Sequence, residues 1–181
     1  MSDEPADAGD GRPTRVAVTG TPGTGKSTAT DLLADEYDVI HLNERIKGDE
    51  SLWTERDADR DTLVADLDAV REHLGDWTGV LDSHLAHRFD VDRVVVLRCH
   101  PEAIEARLRE RGESAATAEE NAESEALDVI LSEAVAEHGT ESVYEIDTTG
   151  RDPEAVADAI RAAIEGEREP SAGTVDFMDY I

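Results

Sequence analysis

Residues 20–28 read Gly-Thr-Pro-Gly-Thr-Gly-Lys-Ser-Thr, a complete G-x-x-x-x-G-K-[ST] phosphate-binding loop. The loop directly follows the apolar run Val16-Ala17-Val18, which is typical of a buried strand. Residues 28–37 come next and carry apolar side chains at helical spacing. This order of strand, loop and helix distinguishes a P-loop from a glycine-rich turn that binds nothing. The sequence therefore predicts an α/β domain that binds a nucleoside triphosphate.

The P-loop also predicts roles for its own residues. Its glycines allow consecutive backbone N–H groups to converge on phosphate oxygens, and the helix N-terminus adds a partial positive charge. Lys26 is expected to reach the β- and γ-phosphates of ATP, and the Ser27 hydroxyl is expected to be a ligand of Mg²⁺. ATP and Mg²⁺ are therefore the predicted cofactors.

The charge balance of the chain is extreme, with 44 acidic residues, 17 basic residues and a net charge of −27. Lysine is scarce, since Lys26 and Lys47 are the only two, and the acidic bias runs along the whole sequence. Because concentrated salt screens such self-repulsion, we interpret the bias as adaptation to a high-salt archaeal cytoplasm. The acidic composition argues against direct DNA binding and leaves basic protein partners open.

Length and cysteine content narrow the class of protein. The 181 residues suffice for one α/β domain with a sizeable core, and no apolar run of about 18 residues predicts a membrane span. Residues 1–14 are acidic and lack an apolar signal region, so we expect a disordered leader. Cys99 is the single cysteine, which excludes internal disulfides and a zinc site built from several cysteines.

Strand-like and helix-like segments alternate along residues 15–166, as a doubly wound parallel sheet requires. We expect one domain with a five-stranded parallel sheet flanked by helices. After the first strand, the predicted strands cover residues 39–42, 79–83, 93–98 and 142–146. The predicted helices cover residues 28–37, 57–74, 101–111, 118–138 and 153–166.

A C-terminal tail, residues 167–181, stands apart from this alternation. A stretch containing proline and glycine should break regular structure, yet an apolar cluster follows it: Val175, Phe177, Met178, Tyr180 and Ile181. The tail either folds back onto the domain or docks to a partner, and the sequence leaves both interpretations open.

Four residues outside the P-loop complete the candidate catalytic set. Asp82 follows the strand-like run at residues 79–81, so it is expected beside the P-loop, where it would hold the Mg²⁺ water shell. His84 could orient or deprotonate a water, although a structural role stays open. Arg107 and Arg111 face the same way on a predicted helix and could stabilise the transferred phosphoryl group.

Together these residues resemble the small adenylate kinase-like proteins of archaeal and eukaryotic nuclear type. That family is also known as adenylate kinase isoenzyme six or as the coilin-interacting nuclear ATPase proteins. The resemblance runs from about residue 16 to residue 164. Besides the P-loop, it rests on Leu81-Asp82-Ser83-His84, Val96-Leu97-Arg98, Arg107-Leu108-Arg109-Glu110-Arg111-Gly112, Glu120-Asn121 and Glu125.

The resemblance implies a nucleoside monophosphate kinase-like fold, with a monophosphate-binding segment at about residues 43–66 and a short lid at about residues 110–120. It implies transfer of the ATP γ-phosphoryl group to AMP or another nucleoside monophosphate, with ATPase activity. It also implies a role in small ribosomal subunit maturation, through transient binding of a ribosomal protein of that subunit. By the same resemblance, ATP would be contacted by Gly23, Gly25, Lys26, Ser27, Thr28 and Arg111.

Two features depart from the pattern of that family. Residues 43–47 read Asn-Glu-Arg-Ile-Lys where the family has Gly-Asp and a later arginine, and a lysine cannot replace the bidentate fork of arginine. The lid lacks the second arginine pair of bacterial adenylate kinases, so water could compete with AMP as acceptor. A monophosphate kinase and an ATPase switch that acts as an assembly factor therefore both stay open. A GTPase is disfavoured, because the sequence contains no Asn-Lys-x-Asp segment.

Overall fold

The computed structural model describes residues 15–57 and 62–181, and the leader expected at residues 1–14 lies outside the described residues. The strands are β1 (Arg15–Thr19), β2 (Val39–His41), β3 (Trp53–Asp57), β4 (Thr62–Ala65), β5 (Gly79–Asp82), β6 (Arg93–Arg98) and β7 (Val143–Asp147). The helices are α1 (Lys26–Asp31), α2 (Leu42–Lys47), α3 (Leu67–Leu74), α4 (Pro101–Glu110), α5 (Ala115–Ala126), α6 (Val129–His138) and α7 (Pro153–Glu165). Among the described residues, no helix is long and apolar enough to cross a membrane.

Five parallel strands form the main sheet in the order β2-β5-β1-β6-β7, which confirms the predicted fold class. The run Val94-Val95-Val96-Leu97 in β6 is fully buried, as expected for a central strand covered on both faces. Alternate side chains serve two cores. Val95 and Leu97 pack in one core with residues of α1 and α7, and Val94 and Val96 pack in the other with residues of α2, α3 and α6.

The helix predicted over residues 57–74 is wrong in its first half. The antiparallel hairpin of β3 and β4 precedes α3, and the Asp66 side chain caps α3 by accepting a hydrogen bond from the Ala69 N–H at 3.2 Å. Leu63 reaches the core from strand β4, whereas Val70 reaches it from the helix. Two different elements thus produce apolar positions whose spacing imitates a single helical stripe.

The single helix predicted over residues 118–138 is also wrong, because it is divided into α5 and α6. Asp128 interrupts it with a left-handed φ of 55°, and the guanidinium Nη2 of Arg98 donates to its carboxylate at 2.5 Å. Aspartate is one of the few residues that adopts this conformation at low cost, and the ion pair holds it there.

After the P-loop, α1 ends at Asp31 and tighter turns continue the chain to Tyr37. Most other boundaries differ from prediction by one or two residues, as helix and strand ends commonly do.

The tail folds back onto the domain. The Ser171 N–H donates to the Val143 carbonyl at 3.0 Å, and the Glu145 N–H donates to Ser171 Oγ at 3.0 Å, so the tail covers the outer edge of β7. Phe177 is buried against the domain, while Met178 and Ile181 stay exposed. The first of the two interpretations of the tail therefore describes residues 171–177.

Candidate nucleotide site

The P-loop, residues 20–28, connects β1 to α1 in a conformation that requires glycine. Gly23 and Gly25 have φ angles of 95° and 89°, and Gly25 is the N-cap residue of α1. A cavity of about 120 Å³ opens above the loop. Among its lining residues are Gly23, Gly25, Lys26, Ser27, Thr28, Asn43 and Arg111. All six residues predicted to contact ATP therefore line one cavity.

Lys26 is the buried cation of this cavity, with 8% of its surface exposed. Its ammonium group donates to the carbonyl oxygens of Gly20 at 2.8 Å and Thr21 at 3.1 Å. Burial lowers the pKa of Lys26 to about 8, although the charges of Asp82 and Glu125 act in the opposite direction. The side chain is thus largely charged at neutral pH and lines the P-loop cavity.

The structure brings together Ser27 and Asp82, the two residues predicted to hold Mg²⁺. The Ser27 hydroxyl donates to Asp82 Oδ2 at 2.9 Å, and the Thr30 hydroxyl donates to the same oxygen at 3.2 Å. The pairing arises because β1 and β5 are neighbours in the sheet, with Val18 opposite Asp82. A hydroxyl and a carboxylate are the hard oxygen donors that Mg²⁺ prefers, so these residues fit the metal.

His41 belongs to the same cluster, although the sequence analysis did not single it out. Its Nδ1 lies 2.7 Å from Asp82 Oδ2, and its Nε2 lies 2.8 Å from Asp31 Oδ1. Burial opposes a charged ring, but the hydrogen bonds and charges of Asp82 and Asp31 outweigh it and raise the pKa of His41. A histidine at a strand end was the available signal. Its partner became visible only with the strand order, which sets His41 opposite Asp82.

His84 lies beside the P-loop cavity with its tautomer fixed by a hydrogen-bond chain. The Ser83 hydroxyl donates to Asn43 Oδ1 at 2.7 Å, so the amide nitrogen of Asn43 donates to His84 Nδ1 at 3.3 Å and the ring proton stays on Nε2. Burial, followed by the charges of Lys26 and neighbouring cationic groups, lowers the pKa of His84 to about 4. The low pKa makes the ring a weak base, and the proton on Nε2 leaves that nitrogen a donor, so the ring is better suited to orienting a water than to deprotonating it.

The two arginines predicted as a pair, Arg107 and Arg111, make different contacts. Arg107 donates to the Gly23 carbonyl at 2.9 Å, so it braces the P-loop itself. Arg111 lines the P-loop cavity and also a second cavity of about 210 Å³, which Arg107 lines as well. This second cavity continues past Thr28 to Thr148 and Arg151. Of the two arginines, Arg111 is the one that lines the P-loop cavity.

A third cavity, also of about 210 Å³, lies next to the P-loop cavity. Its wall includes Leu63 and Ala65 of β4, within the segment predicted to bind a monophosphate. Asn43 lines both this cavity and the P-loop cavity, so the two adjoin at that residue. The remaining lining residues are Ile46, Lys47, His84, Leu85 and Glu113. A larger surface cavity of about 350 Å³ at the amino ends of β1 and β6 contains none of the predicted catalytic side chains.

Comparisons with known proteins agree with this arrangement. The family model described as "AAA domain" matches residues 16–128. A protein of Natronomonas pharaonis is 64% identical over 168 residues, which cover 92% of this chain and 99% of its own length. A protein of Halobacterium salinarum is 59% identical over 169 residues, with the same coverage of both chains. Both carry the provisional name adenylate kinase, and both come from halophilic archaea, in agreement with the acidic composition.

A solved structure shares the fold at low sequence identity. The thymidylate kinase of Candida albicans is similar to this chain with a TM-score of 0.51 and 13% identity, over 86% of this chain and 92% of that one. This similarity establishes a P-loop nucleotide kinase fold and nothing finer. Since the family model spans more than half of the chain and the archaeal relatives align along nearly all of it, the chain belongs to the AAA domain family, together with these archaeal adenylate kinase-like proteins.

Proposed function

We propose that this protein is a nucleoside monophosphate kinase that transfers the γ-phosphoryl group of Mg-ATP to AMP. The observation that carries the proposal is the meeting of two cavities at Asn43, with the P-loop lysine on one side and His84 on the other. Phosphoryl transfer requires two nucleotides held in line, and a protein that only binds a triphosphate has no use for the third cavity, which we call the acceptor cavity.

The residues of the site would act by orientation and charge. Lys26 would neutralise the migrating phosphoryl group, and Arg111, which lines the same cavity, would also stabilise its charge. Arg107 is a positioning residue, because it holds the Gly23 carbonyl rather than substrate. Bound Mg²⁺, held by Ser27 directly and by Asp82 through water, would supply further positive charge to the phosphates.

The two-cavity arrangement can be tested with a bisubstrate analogue, two adenosines joined by five phosphates. We expect it to bind more tightly than ATP by at least about a hundredfold, because one molecule would fill both cavities without a second loss of translational freedom. Isothermal titration in molar potassium chloride measures both affinities. An analogue that binds no more tightly than ATP would remove the acceptor cavity from the proposal.

An ATPase switch is the second candidate function, and the acceptor cavity supports it. Lys47 is the only lysine or arginine among the described residues that line that cavity, so these residues would bind an acceptor phosphate more weakly than a guanidinium pair would. In this role, hydrolysis would release a small-subunit ribosomal protein during maturation of the subunit. That partner rests on the family resemblance alone, although a basic protein would suit a chain with a net charge of −27.

His84→Gly separates the two activities. If the neutral ring orients the attacking water, we expect the variant to lose hydrolysis by about tenfold or more, while AMP phosphorylation falls much less. Phosphate release and ADP formation, measured on the same samples, give the two rates. Equal losses in both rates would contradict a role for His84 in orienting water.

A further inference from the structure

A buried ionic cluster surrounds Arg98, next to the P-loop but outside the proposed reaction. The Arg98 side chain is 1% exposed at the carboxyl end of β6. Its guanidinium donates to the Glu125 carboxylate, to Asp128 Oδ1 at 2.5 Å and to Glu145 Oε2 at 2.8 Å. One cation thus faces three carboxylates, of which Glu125 and Glu145 are buried. Buried carboxylates need further donors to remain charged, so the cluster depends on its surroundings.

Further contacts reach the cluster from the P-loop and from the tail. Thr21 of the P-loop lines the same small void as Arg98 and Glu125. The backbone N–H groups of Gly173 and Thr174 donate to Glu145 Oε1, the latter at 2.9 Å. The cluster therefore forms a continuous chain of contacts from the P-loop, through α5 and β7, to the folded-back tail. We call residues 171–181 the strap.

The strap also covers the cluster and reaches the helices around the site. The Phe177 ring lies over the Arg98 guanidinium, 5.4 Å from its central carbon, and packs edge-on against His100, the N-cap residue of α4. Tyr180 lies near four carboxylates of α4 and α5, which, after burial, raise its pKa: Glu105, Glu119, Glu123 and Glu102. The strap thus contacts or closely approaches β6, β7 and the α4–α5 pair.

We infer that the strap holds α4 and α5 against the P-loop and thereby sets the affinity for ATP. Phe177 excludes water from Arg98, and the low local dielectric strengthens the contacts of Arg98 with Glu125. Glu125 in turn lies beside Thr21 around a shared void, while Arg107 of α4 donates to the Gly23 carbonyl. Arg98, Glu125 and Phe177 are therefore positioning residues, since none of them lines the P-loop cavity. The inference rests on the proposed binding of ATP at this loop.

Two variants disturb the strap, and two others serve as matched controls. A chain that ends at Pro170 lacks the strap, and Phe177→Ala removes the ring that lies over the Arg98 guanidinium. Phe177→Tyr keeps the aromatic face, and Met178→Ser changes a residue that is 61% exposed beside it. We expect the first two variants to bind Mg-ATP about tenfold more weakly and to raise the KM for ATP, with kcat within about twofold of the parent. The two controls should bind ATP like the parent.

Two further measurements, rescue by an added peptide and amide hydrogen exchange, distinguish a positioning role of the strap from a general loss of folding. A peptide of residues 171–181, added to the shortened chain, should restore the affinity for ATP measured by titration calorimetry. Amide hydrogen exchange in α5 should accelerate in the shortened, nucleotide-free chain, a readout that stands even if the parent binds no ATP. An unchanged affinity for ATP in both strap variants would overturn the inference. So would parallel losses of kcat and affinity that the peptide does not reverse. A parent that binds no ATP would instead refute the proposed function.

Discussion

Lys26→Ala is expected to lower both phosphoryl transfer and ATP hydrolysis by about a hundredfold to a thousandfold. The ammonium group of Lys26 lines the P-loop cavity and donates to oxygen atoms of Gly20, Thr21 and Thr24. An arriving phosphate can exchange with these neutral acceptors, so the charge becomes available where the transition state needs it. Initial rates of ADP and phosphate formation in molar potassium chloride measure the loss.

Two further variants serve as controls for Lys26→Ala. Lys26→Met keeps most of the side-chain volume and should lose as much activity as the alanine variant, because charge and not packing is removed. Lys47→Ala removes the only other lysine, which lines the acceptor cavity, and should raise the KM for AMP while leaving hydrolysis nearly unchanged. Turnover retained by both Lys26 variants would exclude the P-loop from the mechanism.

Asp82→Asn is expected to lower kcat by about a hundredfold and to shift the requirement for Mg²⁺ to higher concentrations. The carboxylate accepts hydrogen bonds from Ser27 and Thr30 and pairs with His41, so the amide keeps the shape but loses the negative charge. Binding of ATP measured without Mg²⁺ should stay the same or strengthen, since one anion near the phosphates is gone.

Asp31→Asn is the matched control for this charge. Asp31 contacts the other ring nitrogen of His41, so it is linked to Asp82 through that ring. We therefore expect kcat to fall by less than about threefold. Titration of the rate with Mg²⁺ distinguishes the two variants. If Asp82→Asn kept the magnesium dependence of the parent, Asp82 would not be part of the metal site.

The P-loop and Asp82 could be predicted because their signals are local. A motif of fixed spacing between a strand and a helix, and an acidic residue at the end of an apolar run, both carry their structural context with them. The sheet order then brings Ser27 and Asp82 to 2.9 Å, since both follow neighbouring parallel strands. Residues at strand ends could be placed together from the sequence, because a parallel sheet gathers the carboxyl ends of its strands at one edge.

The features that the sequence did not predict depend instead on partners that are distant in the sequence. The break at Asp128 is stabilised by Arg98, thirty residues earlier, and no local pattern signals it. The hairpin before α3 was hidden because Leu63 and Val70 reach the same core from a strand and a helix. The role of His41 depends on the pairing of β2 with β5. Each would have required the tertiary arrangement before the local structure could be assigned.

The most direct test of the central proposal is the product stoichiometry of the reaction with Mg-ATP in molar potassium chloride, with and without AMP. A monophosphate kinase forms two molecules of ADP for each AMP consumed and releases little free phosphate, which is the result we predict. Free phosphate equal to the ADP formed, and indifferent to AMP, would contradict kinase activity and identify the protein as an ATPase.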